Sequence, residues 1–206
     1  MKLNKLFLGA MAIFITAAAL GFFVNKIFSR DQYVTVNPYE NLGGDFTLLS
    51  AKGPVSLRDF RGKVVIMFFG FTSCSDVCPT GLSKIASVIN LLQEDYHGKV
   101  AGIFITVDPG RDTPEITSKY ASFFHDQIIG VSGSIEEIAE VARNYYILYQ
   151  PVEIPDSNLG YTIDHTATSY VIDSEGEIRQ RVQHNASIQE MFNIVESVIL
   201  GTHNDS

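Results

Sequence analysis

The stretch Val64-Val65-Ile66-Met67-Phe68-Phe69-Gly70-Phe71-Thr72-Ser73-Cys74-Ser75-Asp76-Val77-Cys78-Pro79 decides the fold. Its first six residues are apolar without interruption, which is the length and saturation of a strand buried on both faces. From Pro79 the pattern turns helical, with Leu82, Ile85, Ala86, Ile89 and Leu92 on one stripe as far as Tyr96. Cys74 and Cys78 are the only cysteines of the 206 residues, and they sit at this strand-to-helix junction. Two cysteines are commonly unrelated small apolar core residues; a separation of four at such a junction makes them a pair.

Strands and helices alternate on either side. Upstream, Phe46 to Leu49 and Val55 to Leu57 flank Ser50-Ala51-Lys52-Gly53-Pro54, which predicts a short hairpin. Downstream, Val100 to Val107 reads as a second buried strand. Thr113-Pro114-Glu115 starts a helix with Ile116, Tyr120, Phe123 and Phe124 facing inward. Gln127 to Val131 is a third, shorter strand. Ser134 with Glu137, and Ser187 with Glu190, are capping boxes. Ile138, Ala142 and Tyr145 carry the periodicity of the first of those helices, and Met191, Ile194, Val195 and Val198 that of the second. Between them Thr168 to Ile172 and Ile178 to Val182 flank Asp173-Ser174-Glu175-Gly176, a hairpin with turn chemistry. The order hairpin, βαβαβα, hairpin, helix predicts an α/β fold with a mixed sheet.

The front of the chain is different in kind. Leu6 to Val24 holds 19 residues without a charge, with Lys2 and Lys5 before it and Lys26 and Arg30 after it. As a helix it spans about 28 Å, close to the roughly 30 Å of bilayer hydrocarbon. It reads as an N-terminal transmembrane anchor over residues 1–28; a cleaved signal peptide ending near Ala17-Ala18-Ala19 is the alternative. Either way the rest is exported. Residues 29–42 read as a tether, 43–200 as the globular domain and 201–206 as a polar tail. All 23 acids but 11 of the 15 lysines and arginines lie in residues 31–206, a balance of −12, which excludes nucleic acid as an expected partner.

Three motifs, in this order and spacing, resemble the Sco/SenC family of membrane-anchored copper proteins. They are Phe71 to Pro79, then Val107-Asp108-Pro109-Gly110-Arg111-Asp112-Thr113-Pro114-Glu115, then Asp164-His165-Thr166 ahead of Tyr170-Val171-Ile172-Asp173. The resemblance covers residues 40–200. It implies a thioredoxin-like mixed sheet flanked by helices, and a role in delivering copper to the binuclear copper site of cytochrome c oxidase. It also implies Cys74, Cys78 and His165 as ligands of Cu(I) or Cu(II), and the copper-bearing oxidase subunit as acceptor. The setting it implies is the periplasmic side of a bacterial inner membrane or the mitochondrial intermembrane space.

The residue chemistry is compatible and less specific. A helix N-terminus stabilises thiolates, which suits a nucleophile and a metal ligand equally. With one residue more than Cys-X-X-Cys, the loop lets two sulfurs face one metal yet still permits a disulfide. Soft thiolates favour Cu(I), and imidazole accepts either valence. A metallochaperone and a thiol–disulfide oxidoreductase, with Cys74 attacking and Cys78 resolving, therefore both stand. A peroxidase reading lacks its signature in the cysteine loop. An oxidising compartment closes a free pair, so a thiol reductase is an expected partner, as is a copper carrier.

Other groups near the motifs keep two readings each. Asp76 is a helix cap or a group tuning the thiolates. Asp108, Arg111 and Asp112 form an ion-pair network or a docking surface, and Asp164 orients the imidazole or caps a turn. Tyr145, Tyr146 and Tyr149 read as packing, and His97, His125, His184 and His203 as surface residues. Gln150 to Tyr161 reads as a long mobile loop reaching the histidine.

Overall fold

Val64–Gly70 (β3) is buried at every residue and forms the middle of a five-stranded sheet. In the computed structural model, Leu20, Tyr39 and residues 41–155, 157 and 159–202 are described. The expected anchor, most of the tether and the end of the tail lie outside the described residues. Among the described residues no helix is long and apolar enough to cross a membrane.

The first hairpin forms as expected, Thr47–Ser50 (β1) pairing antiparallel with Gly53–Ser56 (β2). A 3-10 turn over Leu57–Phe60 then leads into β3. Val77–Gln93 (α1) follows, then Val100–Thr106 (β4), Pro114–Phe124 (α2), Ile128–Val131 (β5) and Ile135–Asn144 (α3). Tyr149–Glu153 (β6) and Tyr161–His165 (β7) come next, followed by Thr168–Ile172 (β8), Ile178–Gln183 (β9) and Ile188–Ile199 (α4). The main sheet runs β5-β4-β3-β8-β9; β3, β4 and β5 are parallel, and β8 and β9 are antiparallel additions.

Successive side chains of a strand point to opposite faces. On β3 this sends Phe68 toward α1, where it lies against Gly81, and stacks it on Phe104 of β4. Phe69 points the other way, to Tyr145 at the end of α3 and Tyr170 of β8. Burying an aromatic or large aliphatic side chain contributes about 1.5–3 kcal/mol. A strand buried on both faces collects that contribution on each. At the parallel edge, a Cβ on Gly130 would lie 2.1 Å from the Thr117 carbonyl oxygen, so a side chain there would push α2 off β5.

Several expectations need correction. The inward face of α2 is made by Thr117 and Ala121 with partly buried Tyr120 and Phe124; Phe123 is 83% exposed and Ile116 45%. Helix α2 covers the narrow edge strand β5, so only part of its apolar surface finds a partner. The box at Ser134 and Glu137 is complete, whereas at Ser187 the described bond is the hydroxyl accepting from the Glu190 N–H. Helix α1 begins at Val77 rather than Pro79 and ends at Gln93 rather than Tyr96. The segment read as a mobile loop over 150–161 is in large part a β-hairpin, β6 pairing antiparallel with β7 from Tyr149↔His165 to Glu153↔Tyr161.

Helix α3 ends in an unusual way. Tyr146 has φ +50, Ile147 N–H donates to the Ala142 carbonyl and Tyr146 N–H to the Arg143 carbonyl. This is a Schellman ending with tyrosine in the left-handed position that glycine normally takes.

Candidate metal centre

Strand β3 ends at Gly70, and the chain turns through Phe71 to Asp76 into α1. The turn is held from below by Asp112. Its carboxylate accepts from Thr72 N–H at 2.9 Å, from Thr72 Oγ1 at 2.5 Å and from Thr106 Oγ1 at 2.6 Å. Cys78 falls in the first turn of α1 and is fully buried, whereas Cys74 in the loop is partly exposed. A Cβ on Gly70 would lie 2.7 Å from Cys78 Sγ and 3.0 Å from Phe104 Cε2, so the sulfur occupies space that only glycine leaves free.

Asp76 stands at the cap position, but its side chain makes no capping bond. Cys74 Sγ instead accepts the Cys78 N–H at 3.5 Å, so a sulfur takes the place of the usual cap oxygen. The expectation of an Asp76 side-chain cap is thereby corrected: its backbone serves, the carbonyl accepting from Thr80 N–H at 3.1 Å.

The two thiols differ in proton affinity. Cys74 is drawn down to about 5, chiefly because the Cys78 thiol donates to it. Partial burial opposes this, and the N–H groups of Asp76 and Cys78 reinforce it. Cys78 moves strongly upward, because it is the donor in that pair and because it is buried. The shared proton is thus favoured on the inner sulfur and thiolate character on the outer one.

His165 arrives from the far end of β7. Its Nε2 is 3.4 Å from Cys78 Sγ, and the donor atoms of Cys74, Cys78 and His165 all lie within 4.8 Å of one another. Nδ1 is 3.1 Å from the Thr166 carbonyl oxygen. A carbonyl only accepts, so Nδ1 carries a proton there, and Nε2 is the ring nitrogen that faces Cys78 Sγ. Phe71 and Phe68 stand edge-on to the imidazole, with centroids at 5.7 and 6.3 Å. Cys74 and His165 border an open cleft of about 330 Å³ whose walls include Phe71, Leu159 and Ile163, and Cys78 lies buried behind them.

Alternation along β7 decides between the two readings of Asp164. Tyr161, Ile163 and His165 share one face, and Asp164 points to the other, so the imidazole is oriented by the Thr166 carbonyl and not by its acidic neighbour. His165 itself is the last residue of its own strand, not part of a loop before β8. Asp108 and Asp112 are buried, and the partly exposed Arg111 pairs with Asp108, which makes the group an ion-pair network. Tyr145 packs in the core, Tyr149 is partly buried against it and Tyr146 is exposed. His125 Nε2 meets Asn90 Oδ1 at 3.2 Å, away from the sulfurs.

Sequence reasoning passed over Thr72, Gly70 and Tyr161. The period-two pattern Tyr161, Ile163, His165 against Thr162 and Asp164 was the available signal for the last of these.

Over residues 34–200 the sequence matches the SCO1/SenC family. The chain belongs to that family. Among relatives of this SCO1/SenC chain is the SCO2-like protein of Rickettsia conorii, 33% identical over 166 residues that span 79% of this chain and 80% of that protein. Mouse mitochondrial SCO2 homolog is 38% identical over 157 residues, spanning 75% of this chain and 60% of that protein. Arabidopsis thaliana ScoI with copper bound superposes with a TM-score of 0.73 at 35% identity, covering 78% of this chain and 99% of that one. Yeast Sco1 with copper bound gives 0.68 at 32% identity, covering 77% and 88%. The mixed α/β sheet is the thioredoxin-like arrangement of these Sco structures.

Proposed function

We propose that this SCO1/SenC chain binds copper through Cys74, Cys78 and His165 and passes it to the copper-bearing subunit of cytochrome c oxidase. The observation that carries the reading is the approach of His165 Nε2 to Cys78 Sγ across 87 positions of sequence, with Cys74 completing the set. Two sulfurs and one imidazole make a donor set soft enough for Cu(I) that also tolerates Cu(II). Related Sco structures from Arabidopsis thaliana, Bradyrhizobium japonicum and yeast hold copper. An open cleft beside the donors lets an acceptor's ligands replace them one at a time, so copper moves by ligand exchange and nothing is turned over.

The globular part works outside the membrane that residues 1–28 anchor it to, a reading in keeping with relatives named as mitochondrial proteins in mouse and Saccharomyces cerevisiae. Loading requires both sulfurs reduced, so a thiol reductase and a copper carrier act upstream.

One observation favours a second reading. A partly exposed thiolate beside a buried thiol is the arrangement of a disulfide reductant, Cys74 attacking and Cys78 resolving. Replacing His165 by Ala separates the two. Copper binding falls and thiol reactivity stays if the chain is a copper carrier; copper binding at native strength in the variant defeats the ligand assignment.

A further inference from the structure

The hairpin that presents His165 forms a two-stranded sheet of its own. Among the described residues strands β6 and β7 pair only with each other, and Gln150 to Glu153 are exposed. A two-stranded hairpin alone is marginally stable in water. At its base, near the histidine, Thr166 N–H donates to the Leu148 carbonyl at 2.9 Å and Leu148 N–H to Thr166 Oγ1 at 3.1 Å. Its other end is fastened by a different device.

There, Arg111 lays its guanidinium 3.7 Å over the centroid of the Tyr161 ring. Its Nη1 donates to the Tyr161 carbonyl at 2.9 Å and the Leu159 carbonyl at 3.3 Å, and its Nε to Asp108. Tyr161 closes the ring of contacts by donating its hydroxyl to Asp108 Oδ1 at 2.8 Å. Asp108 is buried, so both of its partners compensate a charge that water cannot reach. Tyr161 and His165 lie on one face of β7, four residues or about 13 Å apart along the strand. The same short loop, residues 108–112, grips the cysteine turn through Asp112 and Thr72.

We propose that Arg111 and Tyr161 are positioning residues for the metal centre: they brace the β6–β7 hairpin against the 108–112 loop and so hold His165 Nε2 in register with the two sulfurs. This rests on the reading of His165 as a copper ligand. Neither residue touches the donor atoms; they act by removing the hairpin's freedom to swing. An arginine is needed because a lysine offers neither the planar stack nor the fork that reaches two carbonyls and a carboxylate.

The test measures Cu(I) affinity of the reduced full-length protein by competition with a coloured Cu(I) chelator. Four chains are compared: native, Arg111→Gln, His165→Ala and the double variant. Removing outer partners of a metal ligand typically costs ~10–100-fold in affinity, so Arg111→Gln is expected to weaken binding at least about tenfold. In the His165→Ala background the same change is expected to have less than about a twofold effect, because the ligand it positions is gone.

Equal losses in both backgrounds, or no loss in the native one, overturn the proposal. No effect of His165→Ala by itself overturns the ligand assignment instead, which keeps the two failures distinct. Tyr161→Phe, which removes one hydroxyl and keeps the stack, carries the test should Arg111→Gln not fold. A severalfold loss confined to the native background supports the brace, and an unchanged affinity overturns it.

Discussion

Cys78 Sγ and His165 Nε2 stand 3.4 Å apart although 87 residues separate them in the chain. The contact joins the first turn of α1 to the end of an outlying hairpin. The inner sulfur packs against Gly70 of the main sheet, and the imidazole is presented by a separate two-stranded hairpin. The centre is therefore built from one rigid half and one half that depends on how the hairpin is held.

Thiol chemistry should be asymmetric. With Cys74 drawn from 9.0 down to about 5, its deprotonation should be half complete near that value and essentially full at neutral pH. Its alkylation by iodoacetamide should stay flat from neutral pH downward and fall to half near pH 5, where an unperturbed thiol would already be inert. Cys78 should react only after unfolding. Mass spectrometry of quenched reactions reads both sites; a half-point near 8 to 9 for Cys74 contradicts the hydrogen-bonded pair.

Gly70→Ala should damage the centre specifically. The added methyl meets Cys78 Sγ at 2.7 Å and Phe104 Cε2 at 3.0 Å in a close-packed interior. Overpacking of this kind costs roughly 1–3 kcal/mol. Chemical denaturation should show that loss, with weakened copper binding as the sulfur shifts. Native stability together with native affinity would mean the space is not filled as described.

Asp112→Asn should loosen the cysteine turn. The carboxylate serves three donors, and an amide replaces one acceptor oxygen with a donor that faces them. Leaving such a buried group unpaired costs about 1–3 kcal/mol. Thermal unfolding of the metal-free protein measures it, and a change below about 0.5 kcal/mol would be that of an ordinary surface substitution.

Tyr146→Gly should stabilise the protein by roughly 1 kcal/mol, since tyrosine in the left-handed region bears a strain that glycine avoids. The side chain is 64% exposed, so little packing is lost. Copper affinity should not change. A drop in stability would show that the ring makes contacts outweighing its backbone strain.

Much of this was legible in the chain itself. The unbroken apolar run at Val64 and the stripe from Leu82 to Leu92 announce a buried strand and its covering helix, because burial on two faces and on one leaves different periods. The position of His165 was legible only through the family resemblance; nothing local distinguishes it from His125 or His184. The hairpin around it was hidden by Pro151, Ser157 and Gly160, which read as loop chemistry, although Pro151 is tolerated because β6 is an edge strand. The outward turn of Phe123 and Ile116 was also illegible. Their helix packs mainly on the narrow edge strand β5, a fact of tertiary arrangement that periodicity does not contain.

The central claim is that two sulfurs and one imidazole bind copper together, and it is tested most directly by titrating the reduced protein with Cu(I) against a competing chelator, native beside His165→Ala. The native chain should retain one copper. The variant should bind it weaker by more than about tenfold, since even outer partners of a ligand are worth ~10–100-fold, while Cys74 alkylation is unchanged. Equal affinity of the two chains would contradict the account.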